Sequence, residues 1–276
     1  MTAAPAPAVP LDERATEFLH RLTVDGTGRS TSCRSTENGR DVPVDGGRLA
    51  RANSFTGVQV FTDDRGGQAV VVGLAEFDDG HDAFALRLRF DGDLVTEAEA
   101  IVSTGRTGFF NAVDELEKPD VIYSAPVPPG RRSDAAELVR IADSYWEAME
   151  QGDPSLVPVG YRCDSYHNGK KVTNNLELLL SPDKAVHSVA SIIAGTRPAR
   201  PTVADRRYPV VDVELGLVVS VVVADFHPVE GRPDCGSFYM GVVFKVVDHE
   251  IRIFDEVREI LPLGTTSGWH VAQGAS

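Results

Sequence analysis

Two stretches of the chain are written in one pattern. Cys33-Arg34-Ser35-Thr36-Glu37-Asn38-Gly39-Arg40-Asp41-Val42 and Cys163-Asp164-Ser165-Tyr166-His167-Asn168-Gly169-Lys170-Lys171-Val172 share Cys, Ser, Asn, Gly and Val in register, and Arg40 answers Lys170. Matches of this kind between two halves point to duplication, so the chain is expected to fold as two copies of one module. Further along, Leu74-Ala75-Glu76-Phe77 matches Val223-Ala224-Asp225-Phe226, and at the same offset Gly67 falls on Gly216. Where the copies differ, Glu37 in the first and His167 in the second, chemistry is to be sought.

Length agrees with the repeat. A chain of 276 residues is long for one ordinary domain and sufficient for two of about 130, each with its own core. Hydrophobic residues at 42% and charged residues at 25% are those of a globular protein, neither disordered nor fibrous. A formal charge of -14 argues against a nucleic-acid partner, which would require clustered Lys and Arg. No run approaches the roughly 18 apolar residues of a membrane span. Met1 to Pro10, rich in Ala and Pro without a basic start, reads as a tail and not a secretion signal. Three cysteines do not make a disulfide framework, and a reducing, cytoplasmic setting is expected. Cys33 and Cys163 read as small packing groups, with a Cys163 to Cys235 bridge left open.

Taken in order, the spacing predicts a helix over 11–22, a weak helix near 46–54, and strands over 57–61, 68–77, 83–90 and 94–103. In the third of these, Phe84, Leu86, Leu88 and Phe90 alternate with Arg87 and Arg89, which predicts an antiparallel meander with one buried face. Phe109-Phe110 reads as a docking anchor, and residues 119–133 as a Pro-rich linker. Ser133 is expected to cap a helix over 134–152, whose apolar face holds Leu138, Ile141, Tyr145, Trp146 and Met149. A second helix over 182–194, capped by Ser181, and strands over 207–213, 217–227, 237–247 and 251–261 complete the second copy. The domains are therefore a tail at 1–10, a first module at 11–118, the linker, a second module at 134–264 and a tail at 265–276. Helices segregated from a long antiparallel sheet define the α+β class.

The element order and the closing strand Ile251-Arg252-Ile253-Phe254-Asp255-Glu256-Val257 resemble the nuclear transport factor 2-like (SnoaL-like) superfamily. The chain is similar in particular to a two-repeat group within it, through Cys33 to Gly39, Ala100-Ile101-Val102-Ser103 followed by Phe109-Phe110-Asn111, and Arg206-Arg207-Tyr208 followed by Asp212. The resemblance implies two cones, each a curved sheet wrapped around helices, and an apolar pocket in which enzymes of the superfamily carry out acid/base work without a cofactor. Ligand-binding and assembly members share the fold, so the fold alone does not decide. The first module, with its shorter leading helix and shorter connection, is expected to be the degenerate copy.

Within the second module His167 is the expected proton carrier, because imidazole titrates near neutrality; the alternative is an exposed loop histidine. Asp255, in alternation with Ile251, Ile253 and Val257, is expected to look into the cone, where desolvation would raise its pKa. Arg252, Glu256 and Arg258 would form a solvated ladder on the other face. Asp225, matched by Glu76, reaches either a pocket mouth or a neighbouring strand, with His227 beside it. Tyr145 would hold an oxyanion, while Trp146, Met149, Tyr166, Tyr208, Phe238 and Tyr239 would shape the pocket and Arg207 would hold an anionic group. No phosphate loop, dinucleotide fingerprint, HxxxH, HExxH or GxSxG occurs, so no cofactor and no metal are expected. The expected function is a cofactor-independent lyase or isomerase acting on a hydrophobic oxygenated small molecule, in a chain that is a monomer with an internal pseudo-dimer or a homodimer. A non-catalytic binding or scaffold protein is the competing class.

Overall fold

The computed structural model describes residues 9–24, 33–104, 112–118, 120–180, 185–230 and 235–269. In the first module α1 (Leu11–Val24) precedes β1 (Arg34–Glu37), β2 (Arg40–Asp41), β3 (Ser54–Asp63), β4 (Gln68–Phe77), β5 (Gly80–Asp91) and β6 (Leu94–Ser103). In the second, α2 (Ala135–Gln151) precedes β7 (Val159–His167), β8 (Lys170–Lys171), α3 (Val189–Thr196), β9 (Thr202–Asp212), β10 (Leu217–Phe226), β11 (Gly236–Val247) and β12 (Glu250–Leu261). Each module has one six-stranded sheet, in the order β2-β1-β6-β5-β4-β3 and β8-β7-β12-β11-β10-β9. The two orders are the same order, so the class is α+β with two tandem modules.

The repeated motif has a structural task in both copies. Asn38 and Asn168 sit at φ 50° and 45°, followed by Gly39 and Gly169 at φ 74° and 82°, the left-handed pair that a two-residue hairpin demands. Each asparagine then clamps its hairpin to the parallel neighbour strand. Asn38 donates to the Val102 carbonyl and accepts from the Val102 amide, and Asn168 does both with Arg258. This parallel edge, β1 on β6 and β7 on β12, is added to the expected antiparallel meander, which β3 to β6 do form.

Four layers result. Leu11, Ala15, Phe18, Leu19 and Leu22 of α1 cover one face of the first sheet, and α2 and α3 cover one face of the second. The remaining faces meet each other through Val70, Val72, Leu74, Ala83 and Ala85 on one side and Val219, Val221, Val223 and Val243 on the other. Both faces of β4 and β10 are therefore buried, which is why these strands are continuous apolar runs and why the expectation of one buried face fails. At the crossing, a Cβ on Gly241 would stand 2.9 Å from the Ala85 methyl, so the sheets touch where both residues are small.

Other boundaries also change. Asp134, and not Ser133, caps α2 by accepting from the Glu137 amide, while the Ser133 hydroxyl meets His249 Nδ1 at 3.0 Å. α3 starts at Ser188, which closes a reciprocal capping box with Ser191; the expected cap Ser181 lies outside the described residues, as does Phe109-Phe110. The weak helix near 46–54 is one 3-10 turn, Leu49–Arg51. Cys163 and Cys235 are both free thiols, one buried and one exposed. Within the expected linker Tyr123 and Val127 are buried, each 2% exposed, while most of its described residues are exposed. The chain after Leu261 returns to the first module: Trp269 Nε1 donates to Thr36 Oγ1 at 2.7 Å, and its ring lies 4.0 Å from the Arg34 guanidinium carbon. No helix among the described residues is long and apolar enough to cross a membrane.

Candidate functional site

Strand β7 sorts its residues by parity. Cys163, Ser165 and His167 turn inward to the α2 side, whereas Tyr166 joins the apolar layer between the sheets. His167 is buried, and its Nδ1 lies 3.6 Å from Glu256 Oε1, which also meets Arg258 Nη1 at 3.0 Å. Burial, with the Arg258 charge added, pushes His167 well below its ordinary pKa, so the ring is neutral. Burial raises Glu256 despite Arg258. Glu256 and Arg258 are thus interior groups and not a solvated ladder, and His167 is not an exposed loop residue.

The space around them is occupied by packed rings. Tyr145 stands edge-on to Trp146 and Phe244 at centroid distances of 4.9 and 5.4 Å, and 5.0 Å from Phe254. Burial and the nearby Glu256 charge hold the Tyr145 phenol well above its usual pKa. Met149 belongs to the same cluster. Phe238 packs on Phe226 at 4.6 Å, and the Tyr208 hydroxyl donates to Asp143 at 2.6 Å. These residues, expected to shape a ligand pocket, pack α2 onto the second sheet.

Asp255 lies on the opposite face from His167. Register breaks between Ile251 and Ile253 against β7, and between Lys245 and Val246 on β11, change the parity of β12. Ile251 and Phe254 consequently point to the α2 side, and Ile253 and Val257 to the layer between the sheets. Asp255 pairs in register with Tyr166, and Glu256 with His167. His167 and Asp255, both expected in one pocket, therefore lie on opposite faces of the sheet.

What Asp255 faces is a cleft of about 620 Å³ at the junction of the modules. Gln59 contributes from β3, Leu116 and Asp120 from the connection, and Tyr166, Lys170 and Asp255 from the second module. Asp255 Oδ1 is shut off from solvent without a hydrogen bond of normal geometry, and so is the Tyr123 hydroxyl. Burial lifts Asp255 to about 7, with the facing Tyr123 hydroxyl opposing the rise and Asp120 adding to it. Burial and the neighbouring Asp255 hold Tyr123 well above the phenol range, and burial with Asp164, Asp255 and Asp120 pushes Tyr166 up to about 12. The cleft thus presents a carboxyl lifted to about 7 beside the neutral phenol of Tyr166, with Tyr123 enclosed behind it, an arrangement able to take up or give a proton.

Two further expected site residues belong elsewhere. Arg207 holds Glu99 in a bidentate pair at 2.5 and 2.6 Å, while Arg87 Nε meets Glu99 at 2.6 Å and the Tyr239 hydroxyl also donates to it. Burial alone would raise Glu99, but Arg207 and Arg87 leave it below the usual carboxylate range. Arg207 and Tyr239 therefore lock the modules together. Asp225 accepts from Ser237 Oγ at 2.5 Å on the neighbouring strand, as Glu76 does from Ser54 Oγ at 2.5 Å, so that repeated acid braces the sheet in both copies. His227 is exposed.

The sequence reading missed Tyr123, Asp120, Gln59 and Glu256. Tyr123 and Asp120 sat in a stretch taken for a linker; the signal was an aromatic residue amid prolines, which spacing alone does not place. Among the described residues no group of three or more His, Cys, Asp or Glu is arranged to hold a metal ion. Fold and cleft together define a duplicated α+β protein with an ionisable site between its modules. A family model described as a domain of unknown function (DUF8021) matches residues 131–258, which take in most of the second module, including Asp255. No curated protein matches the chain.

Proposed function

We propose that the protein is a cofactor-independent lyase or isomerase in which Asp255 moves the proton, and that it belongs among the nuclear transport factor 2-like cones. The common element order of the two sheets, each with helices on one face, supports the second part. One observation carries the first: a carboxyl that burial lifts to about 7 lines the cleft, with the Tyr123 hydroxyl facing it from behind the wall. A general base works best when its pKa lies near the working pH. Tyr123, enclosed behind the cleft, faces Asp255 and opposes the rise in its pKa, and Tyr166 is the phenol that forms part of the wall. In this reading His167 and Tyr145, enclosed among packed rings, support the second sheet and leave the proton to Asp255.

The test is hydrogen exchange. The protein is incubated in D2O with a panel of small ketones, hydroxyketones and enones, and deuterium entry at carbon acids is followed by NMR. Asp255→Asn is expected to slow exchange at least a hundredfold and Asp225→Asn to leave it unchanged. Equal exchange in Asp255→Asn and wild type would remove the proposal. The competing reading, a binding protein without turnover, draws on the close packing of the Tyr145, Trp146, Phe244 and Phe254 rings where the resemblance implies a pocket; it expects ligand binding with no deuterium entry.

A further inference from the structure

The repeat gives the cleft a counterpart. In the first module Thr36 pairs with Glu99, as Tyr166 pairs with Asp255 in the second. Asn38 clamps Val102, and Asn168 clamps Arg258, three residues beyond Glu99 and Asp255 respectively. Glu99 and Asp255 are thus one position of the duplicated fold. Their surroundings can be compared strand by strand.

Beside Glu99 on the adjacent strand is Arg87, and beside Asp255 is Val243. Across the sheet interface Glu99 meets Arg207, the partner of Val221 on β10; the corresponding partner of Val72 on β4 is Gln59, which lines the cleft. Tyr239, opposite Val223, is matched by Ala83, opposite Leu74. Two guanidiniums and a phenol from strands around one carboxylate have become valine, glutamine and alanine around the other, whose one facing phenol, Tyr123, comes from the connection between the modules. Trp269 closes the first site by stacking 4.7 Å from the Arg87 guanidinium carbon and bonding Thr36. The second is bordered by Tyr166, whose ring has Lys171 Nζ 5.9 Å from its centroid while that lysine is held by Asp164 at 2.7 Å.

A buried carboxylate requires donors, and a cationic partner satisfies it best. We infer that the cleft takes a small organic cation, a protonated amine or amidine-like group on a flat apolar body, in the place that Arg207, Arg87 and Tyr239 fill around Glu99. The cation meets Asp255, with Asp120 as a second carboxylate, and the flat body lies against the Tyr166 ring, where aromatic surfaces stack. Lys118, Lys170 and Lys171, with Glu115 and Glu177, give the rest of the cleft mixed charge, and Lys171 is itself held by Asp164. The inference rests on the assignment of the cleft under the proton-transfer reading and names the chemistry of its ligand.

Calorimetric titration of the full chain at pH 7.5 with benzamidinium, benzamide and benzoate tests it. Benzamidinium is expected to bind at least tenfold more tightly than benzamide, and benzoate more weakly still. Asp255→Asn, nearly isosteric, is expected to lose at least tenfold for benzamidinium. Gln59→Arg, which supplies the missing guanidinium from the chain itself, is expected to lose as much. Failure of benzamidinium to bind, binding of benzamide or benzoate as tight, or undiminished benzamidinium binding in Asp255→Asn would overturn the inference. Asp255-dependent deuterium exchange with no preference for cations removes this inference and leaves the proton-transfer reading standing; cation binding without exchange does the reverse.

Discussion

Glu99 and Asp255 occupy one position of the repeat, and what surrounds each decides its charge. Both are desolvated, which alone would raise both. Arg207 and Arg87 reverse the sign at Glu99, whereas Asp255 has only a phenol facing it and a second carboxylate nearby. A folded-state value of about 7, above the ordinary carboxyl range of the unfolded chain, means that the folded protein holds more protons between roughly pH 4 and 7. The Asp255 contribution to stability is therefore present at the acid end of that window and is lost as pH rises through about 7. Asp255→Asn keeps the side chain neutral at every pH. Its melting temperature relative to wild type is expected to rise between pH 5 and pH 8 by at least about 3 °C, on a scale of about 2–4 °C per kcal/mol. Thermal unfolding at the two pH values checks this, and an equal difference at both would contradict it.

At the scale of elements, period-two alternation identified the long strands of both modules, and their observed spans lie close to the expected ones. Asp255 keeps its alternation with Ile253 and Val257, but that face meets the other sheet and not the helices, and the register break moves only Ile251 off it. The alternation also took the face carrying Arg87 for solvent, since a strand pattern does not reveal that a second sheet covers the polar side. The motif itself, legible as a repeat, encodes a hairpin and an asparagine clamp in both copies; Glu37, at the His167 position, accepts from the Arg48 and Leu49 amides. The contact between sheets makes a sharp demand at Gly241, where Ala85 stands against the backbone. Gly241→Leu is expected to overpack this crossing and cost about 1–3 kcal/mol, read as a lower denaturant midpoint. A midpoint equal to wild type would show that the sheets are not in contact there.

For the whole molecule, duplication explains both the lock and the opening. Two equivalent sheets placed face to face bring two equivalent carboxylates to the interface between them. One is neutralised by Arg87 and Arg207, accepts from the Tyr239 hydroxyl and is covered by Trp269, and this site ties the modules together. The other, flanked by smaller and uncharged residues, borders the cleft. None of this pairing was readable along one strand, because each site draws on both modules and Trp269 reaches the first from the far end of the chain. The most direct measurement is a pH titration of side-chain carboxyl 13C shifts in labelled protein, with Asp255 assigned through Asp255→Asn and Glu99 through Glu99→Gln. The account predicts a midpoint near 7 for Asp255 and a Glu99 that stays ionised below the ordinary carboxylate range; an Asp255 midpoint near 4, as in an exposed aspartate, would contradict it.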